Sequence, residues 1–163
     1  MRIAIRPFRE TDIPDKVRWI NDPANHRYPH YDLPLTEAGT REWFRRIKDA
    51  PERRDFVITA DGTPCGVIGL LHIDRIRGEA EYYTTVGEPA LKRKGIALAA
   101  SRLLLEFAFG TLGLRAVYLV TEPDNLPARS LFRRLGFSET GLLERYYPNG
   151  HDAVRYELRR PDI

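Results

Sequence analysis

The sequence is poor in the residues that covalent cross-links and metal clusters require. It has a single cysteine, Cys65, in 163 residues, so an internal disulfide cannot form and a cysteine-based metal cluster is excluded. The four histidines are scattered, without the spacing of metal ligands. Chains without disulfides are typical of reducing compartments. We therefore expect a cytoplasmic protein that binds no metal.

Long apolar runs are also missing. No run approaches the roughly 20 residues that a membrane-spanning helix needs, and residues 1–6 alternate apolar and charged side chains instead of forming an apolar signal segment. Hydrophobic residues make up 42% and charged residues 30% of the chain, which is ordinary for one globular core. We expect a single domain over residues 1–163 and no membrane partner.

The excess of positive charge is small and local. The net charge is +3, and basic residues cluster at Arg45–Arg54, Lys92–Lys94 and Arg129–Arg134. A solvated helix face accounts for the first cluster. Nucleic-acid binding favours a broad basic stripe with interleaved aromatic residues, which the sequence lacks, so we expect no nucleic-acid partner. A polyanionic small molecule needs only a local patch.

Hydrophobic periodicity predicts the element order β-α-α-β-β-β-α-β-α-β-β. Thr36 and Asn125 are expected to begin helices, Gly136 to end one, and Asn149–Gly150 is a strong hairpin signal. The strands are expected at Ile3–Phe8, Phe56–Thr59, Gly66–Ile73, Glu79–Val86, Val117–Thr121, Glu144–Tyr147 and Val154–Leu158. These elements favour an α/β (α+β) fold, with a mixed, mostly antiparallel sheet of about seven strands flanked by about four helices.

The junction between the strand that ends at Val86 and the helix that begins near Gly95 carries the clearest chemical signal. Helix N-termini expose unpaired N–H groups and a partial positive charge. Gly95 lets a ligand approach the main chain, and Lys92–Lys94 add positive charge, so an anion site suited to phosphate is predicted. The motifs of P-loop and dinucleotide sites are absent, which implies another phosphate ligand.

A second segment, Thr121–Phe137, indicates the protein family that the junction motif resembles. Its Asn125 and Ala128, followed by a terminal Gly-Phe pair, resemble the Asn-x-x-Ala/Ser helix of the GNAT superfamily N-acetyltransferases. The segment Lys92–Ala97 resembles their Gln/Arg-x-x-Gly-x-Gly/Ala motif, with Lys in the first position. The resemblance covers roughly Ile3–Leu158. It is closest to the branch that holds ribosomal-protein alanine, spermidine and aminosugar acetyltransferases.

The resemblance implies acetyl-CoA as co-substrate, bound where strands 4 and 5 splay apart. Backbone N–H groups of Arg93–Ala97 would hold the pyrophosphate, Thr84–Val86 would pair with the pantetheine arm, and Asn125 would bond the arm from the other side. Arg129 or Arg133 would reach the 3′-phosphate. The candidate cofactor-binding residues are Thr84, Thr85, Val86, Lys92, Arg93, Lys94, Gly95, Ile96, Ala97, Asn125, Arg129, Phe132 and Arg133.

The catalytic groups are less clearly marked. Phe132 stands where many family members carry a tyrosine that protonates the departing thiolate, and a phenyl ring has no proton to donate. The candidate acid is therefore Tyr146, with Tyr147 or water as alternatives. Glu81 is the candidate general base, because related proteins carry an acidic residue there; the alternative is a solvent-facing or Arg-paired Glu81. Cys65 is expected to be a buried structural thiol, since no histidine lies near it in sequence.

The acceptor site is expected between the loop at residues 21–35, the Arg77–Gly78 turn and the Tyr146–Asp152 hairpin. The candidate acceptor-binding residues are His26, Tyr28, His30, Tyr31 and Tyr83. Aromatic residues with one acid, Asp32, suit a small polar amine, whereas a polycation would need more carboxylates.

We therefore expect acetyl transfer to the primary amine of a small polar molecule, aminosugar- or antibiotic-like, by direct attack in a ternary complex. Protein N-terminal or polyamine acetylation, a non-catalytic acyl-CoA-binding module and a basic RNA-binding domain are the alternatives. The sequence leaves a homodimer open.

Overall fold

A mixed sheet organises the computed structural model, which describes residues 1–25 and 33–161. Its strand order is β1-β2-β3-β4-β5-β7-β6. The strands are β1 Ile3–Pro7, β2 Arg54–Ala60, β3 Thr63–Asp74, β4 Glu79–Val86, β5 Ala116–Thr121, β6 Ser138–Leu143 and β7 Ala153–Arg159. All neighbours are antiparallel except β4 and β5, which are parallel. The predicted mixed, mostly antiparallel sheet is confirmed.

Local sequence signals set the helix ends. The helices are α1 Ile13–Asn21, α2 Glu37–Ile47, α3 Ile96–Glu106 and α4 Leu126–Leu135. The Thr36 hydroxyl caps α2 by accepting the Gly39 N–H at 3.0 Å, and the Asn125 side chain caps α4 in the same way. Gly136, with φ of 95°, ends α4 in the left-handed conformation that favours glycine.

Side chains alternate along the strands and so divide the core between the two faces of the sheet. On one face Val57 and Val67 pack with Ile13 and Trp19 of α1 and with Trp43 of α2. The opposite face carries the larger cluster, in which β2, β3 and β5 pack against α3 and α4. Consecutive residues of β4 therefore point into different compartments, and this alternation positions the candidate site.

The last strand pair differs from the sequence prediction. Glu144–Tyr147 is not a strand, because the strand that pairs with β7 is the earlier Ser138–Leu143. All six residues of this edge strand are exposed, so it lacks the hydrophobic alternation by which strands are recognised. Arg145 then turns the chain with φ of 49°. The Gly150 N–H does bond the Tyr147 carbonyl at 2.8 Å, but this turn lies within the longer connection 144–152.

Candidate active site

The parallel strands β4 and β5 separate soon after they meet. They pair only at Glu79–Ala116, Ala80–Val117 and Glu81–Tyr118. Beyond these pairs β4 continues on β3 up to Val86, and β5 continues on β7 up to Thr121. The sheet therefore opens into a V whose vertex is at Glu81, which confirms the predicted splay of strands 4 and 5.

A cleft of about 600 Å³ occupies this opening and reaches both faces of the sheet. Glu81, Tyr83 and Thr85 line it on the face of α1 and α2, and the intervening Tyr82 and Thr84 line it on the face of α3 and α4. Its other lining residues are Lys16, Trp43, Arg53, Leu71, Leu119, Val120, Thr121, Asn125, Ala128, Leu131, Phe132, Tyr146 and Tyr147. Two ligands can therefore meet at the vertex from opposite faces.

The β4 side of the V presents backbone donors. Gly87 donates its N–H to the Cys65 carbonyl at 2.8 Å, and hydrogen-bonding directions alternate along an antiparallel strand. Val86 and Thr84 consequently direct their N–H groups away from β3, into the opening. An extended chain laid in the V could pair with this edge as an added strand does. The pairing role predicted for Thr84, Thr85 and Val86 agrees with this geometry and stays a prediction.

The connection from β4 to α3 is fixed against α1. Glu88 accepts hydrogen bonds from Arg18 at 2.7 Å and from the Trp19 indole at 2.8 Å. Gly87 has no room for a side chain, since an added Cβ would lie 2.1 Å from Trp19 Cγ. Further along, the Tyr82 and Ser101 hydroxyls are 2.5 Å apart and tie β4 to α3. The N-terminus of α3 is thereby held in place relative to the V.

The segment Lys92–Ala97 forms the turn that begins α3. Arg93 and Gly95 both have left-handed backbones, with φ of 62° and 76°, and turns of this kind gather N–H groups into anion-binding concavities. A Cβ at Gly95 would meet no atom within 4 Å, so the space in front of the turn is open to a ligand. Ile96 is buried in the core, and the Lys92 ammonium hydrogen-bonds the Asn25 side chain. This geometry agrees with the diphosphate site that the sequence predicts, and the site stays a prediction.

The α4 side of the V contributes fewer free polar groups. Asn125 lines the cleft, but its carboxamide also caps α4 and donates to Thr121 Oγ1 at 3.2 Å. Arg129 donates to the Tyr156 hydroxyl at 2.9 Å and to the Pro123 carbonyl at 2.8 Å, so its guanidinium is largely committed within the protein. Arg133 is exposed. Of the two candidates for a 3′-phosphate, Arg133 is therefore the more available.

Phe132 is buried against the aromatic cluster beneath the cleft. Its ring centroid lies 6.1 Å from that of Tyr82 and 5.6 Å from that of Tyr156. The ring supplies an apolar wall to the cleft and no proton. Two phenol groups, those of Tyr146 and Tyr147, also line the cleft.

Glu81 is half-buried at the vertex of the V. Burial raises the pKa of its carboxyl, and the nearby His72 opposes this only in part. Burial, Glu122, Tyr146 and Glu81 together raise the pKa of the Tyr147 phenol to about 12, which makes it a weaker acid than an exposed phenol. Tyr146 is 49% exposed, and its ring centroid is 5.1 Å from that of Tyr147. The vertex thus combines a carboxyl of raised pKa with two phenols.

A polar row that the sequence analysis missed reaches the cleft from β2. Asp55, Gly69 and Tyr83 are direct neighbours on β2, β3 and β4. Because Gly69 has no side chain, the Tyr83 hydroxyl passes over β3 and donates to Asp55 at 2.5 Å. Asp55 also accepts two hydrogen bonds from Arg53, each 2.8 Å long. Strand register creates this row, and no local sequence pattern marks it.

Lys16 is a second residue that the sequence analysis missed, although a local signal exists. It lies three residues after Ile13 and four before Ile20, so it falls on the apolar stripe of α1. Its side chain is buried and lines the cleft. A lysine on a buried helix stripe is uncommon, and this pattern could have singled it out.

Four of the acceptor-binding predictions cannot be placed. His26, Tyr28, His30 and Tyr31 lie outside the described residues. Tyr83, the fifth candidate, lines the cleft on the face of α1 and α2. Within residues 1–25 and 33–161 no group of three potential metal ligands occurs. In the same part of the chain no helix is both long and apolar enough to cross a membrane.

The comparison with protein families identifies the family of this chain. The family described as acetyltransferase (GNAT) domain matches residues 2–138. The chain belongs to this GNAT family. The family predicted from the Lys92–Ala97 and Thr121–Phe137 motifs is therefore confirmed.

Individual GNAT relatives include enzymes with different acceptors. The spermidine N(1)-acetyltransferase of Escherichia coli K12 is 34% identical over 114 residues, which cover 68% of this chain and 60% of that protein. The chain thus spans about three fifths of that relative. The N-alpha-acetyltransferase RimI of Mycobacterium tuberculosis is 35% identical over 119 residues, 72% of each chain. The solved spermidine N-acetyltransferase of Vibrio cholerae, in complex with CoA and spermine, superposes with a TM-score of 0.89 at 22% identity, covering 96% of this chain and 95% of that one.

Proposed function

We propose that this protein transfers the acetyl group of acetyl-CoA to the primary amine of a small polar molecule. The observation that carries the proposal is the V between β4 and β5, which leads from the left-handed turn at Gly95, along the open N–H edge of Thr84 and Val86, to the carboxyl of Glu81. Family membership supports the same reaction.

Backbone groups would hold the donor. The N–H groups of Arg93–Ala97 would bind the diphosphate, and Arg133, which is exposed, would reach the 3′-phosphate. The edge at Thr84 and Val86 would align the extended arm, and an N–H near Val86 would polarise the thioester carbonyl as charge develops on its oxygen. Phe132 and its aromatic neighbours would exclude water from the α4 side.

The transfer itself forms one bond from nitrogen to the acetyl carbon and breaks the carbon–sulfur bond. Glu81 would take the proton that the amine loses as it attacks, directly or through water, and its raised pKa makes it a stronger base than an exposed carboxylate. Tyr146 would supply a proton to the departing sulfur, with water as the alternative, because the raised pKa of Tyr147 makes it the weaker acid. A thiol of pKa near 8.5 needs little help to leave, so the reaction does not require a proton donor at the position of Phe132.

Direct attack is favoured over an acetyl-enzyme intermediate. Cys65 is fully buried on β3, and burial together with Glu88 raises the pKa of its thiol to about 11. A thiol that holds its proton and is shielded from solvent is a poor nucleophile. Cys65 is accordingly assigned a packing role, and both substrates would have to be bound together.

Polyamine acetylation is the second candidate for the acceptor. The E. coli relative, at 34% identity, bears the name of a spermidine acetyltransferase, and this supports the polyamine alternative. The cleft residues that the structure describes favour another acceptor, because they include Lys16 and Arg53 with Glu81 as the opposing acid. A peptide N-terminus is a further candidate, supported by the M. tuberculosis relative.

The test is thiol release from acetyl-CoA with a panel of amines that includes an aminosugar, spermidine and a short peptide. Release that depends on the amine, with intersecting initial-velocity lines, is expected for direct transfer in a ternary complex. A protein that binds CoA in calorimetry but releases no thiol with any amine would instead be a non-catalytic binding module. Glu81→Gln is the matched variant, because it keeps the shape of the vertex and removes the base.

A further inference from the structure

Lys16 is a buried lysine to which none of the residues in 1–25 and 33–161 offers a hydrogen-bonded carboxylate. Its side chain is 8% exposed, and its Nζ lies 3.4 Å from the centroid of a Trp43 ring and 5.7 Å from that of Phe8. No hydrogen bond or ion pair joins the ammonium to any residue in the described ranges. An ammonium carries three N–H donors, and aromatic faces attract the charge without accepting those donors as oxygen atoms do.

Asp55, whose charge raises the pKa of Lys16, is already committed to other partners. Asp55 accepts two hydrogen bonds from Arg53 and a third from Tyr83, so its charge balances the guanidinium. Arg53 contacts the same indole as Lys16, with its guanidinium carbon 5.2 Å from a Trp43 ring centroid. The group formed by Lys16, Arg53, Asp55 and Trp43 therefore carries one positive charge in excess.

The surroundings leave this charge in place near neutral pH. Burial lowers the pKa of Lys16 to about 8, with Arg53 adding to the decrease and Asp55 opposing it. Keeping a buried ion without a counter-ion costs free energy, and stability alone would favour an apolar side chain at this position. Lys16 and Arg53 both line the cleft on the face where the acceptor would enter.

We propose that Lys16, with Arg53 beside it on Trp43, forms an anion subsite, and that the natural acceptor is an amine that also carries a carboxylate. The inference rests on the proposed acetyl transfer and names its acceptor class. A carboxylate matches the single excess charge and accepts the N–H donors that the protein leaves unused. The indole supplies a flat apolar surface beside it. A polyamine would instead bring further ammonium groups towards Lys16.

A pair of amines that differ only in charge tests this directly. 6-Aminohexanoate and 6-aminohexanamide have amines of nearly equal basicity, because the two end groups are separated by five carbons. We expect kcat/KM to be roughly 10- to 150-fold higher for the acid, the range of one hydrogen bond to a charged group, with the difference mainly in KM. Spermidine should be a poorer substrate than the acid.

Substitutions test whether Lys16 is the residue that causes the preference for the acid. Lys16→Met keeps the length of the side chain and should abolish the preference for the acid, whereas Lys16→Arg should retain most of it. Lys48→Met is the control, because Lys48 lies at the end of α2 and outside the cleft lining. Equal kcat/KM for acid and amide, or a preference that survives Lys16→Met, would overturn the subsite.

A binding measurement separates this proposal from the acetyl transfer itself. With CoA present, benzoate should perturb the protein NMR spectrum at lower concentration than benzamide, and only while Lys16 is intact. If benzoate binds in this way but no amine is acetylated, the proposed function fails and the anion subsite stands. If spermidine is acetylated efficiently and benzoate binds no better than benzamide, the subsite fails and the function stands.

Discussion

Gly95→Ala separates the structural role of the turn before α3 from its proposed role in binding the diphosphate. Gly95 has φ of 76°, and an added Cβ would touch no atom within 4 Å. The substitution therefore creates no clash within the protein, and its cost to folding is confined to the left-handed backbone. If the open space in front of the turn is where the diphosphate lies, the same methyl group will also obstruct the ligand.

The expected loss of folding stability and the expected loss of CoA affinity can be estimated separately. Holding an L-residue in the left-handed region costs roughly 1–2 kcal/mol, and a domain of this size loses about 2–4 °C in Tm for each kcal/mol. We expect Tm to fall by roughly 2–8 °C. Loss of a hydrogen bond to a charged group costs about 1.5–3 kcal/mol, so the Kd for CoA should rise by roughly 10- to 150-fold.

Gly113→Ala is the matched control. Gly113 also has a left-handed backbone, with φ of 65°, and it also has open space around an added Cβ, but it follows the far end of α3. Both variants should lose similar Tm, and only Gly95→Ala should weaken CoA binding in calorimetry. Equal CoA affinity in the two variants, at temperatures where both are folded, would refute the assignment of the turn as the diphosphate site.

Three further changes test the vertex and its supports. Glu81→Gln should lower kcat by about 10²–10⁴-fold. The folded pKa of Glu81 is raised above its ordinary 4.5, so the contribution of Glu81 to stability is fully present below pH 4.5 and is lost as the pH rises through the folded pKa. The variant should therefore have the higher Tm at neutral pH and lose that advantage in acid. Gly69→Ala would place a Cβ 2.3 Å from a β2 carbonyl and 2.7 Å from the Tyr83 hydroxyl, so it should cost about 1–3 kcal/mol of stability, measured as a lower Tm. Cys65→Ala should retain acetyl transfer, and the native thiol should resist alkylation at pH 8; loss of thiol release in this variant would indicate an acetyl-enzyme.

Local signals in the sequence were enough to predict most of the framework. Thr36 and Asn125 are helix caps, and Gly136 ends α4, because each meets a requirement set by its immediate neighbours. The turn at Gly95 was predictable for the same reason. Interactions of this kind depend on a few consecutive residues, so a single sequence contains them.

The errors and omissions depend on contacts between distant segments. The strand placed at Glu144–Tyr147 lies instead at Ser138–Leu143, because an exposed edge strand is selected by pairing with β7 rather than by its own pattern. The contact between Tyr83 and Asp55 requires the register of three strands, with Gly69 between them. Residues 28 positions apart cannot be recognised as partners from periodicity alone.

This contrast has a physical cause in the way the two ligands would be recognised. The donor would be held largely by backbone N–H groups, at a helix start and along a strand edge, and such sites need glycine and a fixed strand–helix connection. The acceptor would be held by side chains that converge from α1, α2, β2 and β4, where Lys16 and Arg53 meet on one indole. Backbone recognition leaves a contiguous motif, whereas side-chain recognition leaves single residues scattered along the chain. One fold could therefore keep its donor motif while the acceptor changes, and under our proposal Lys16 is the residue that makes this site less suited to a polycation.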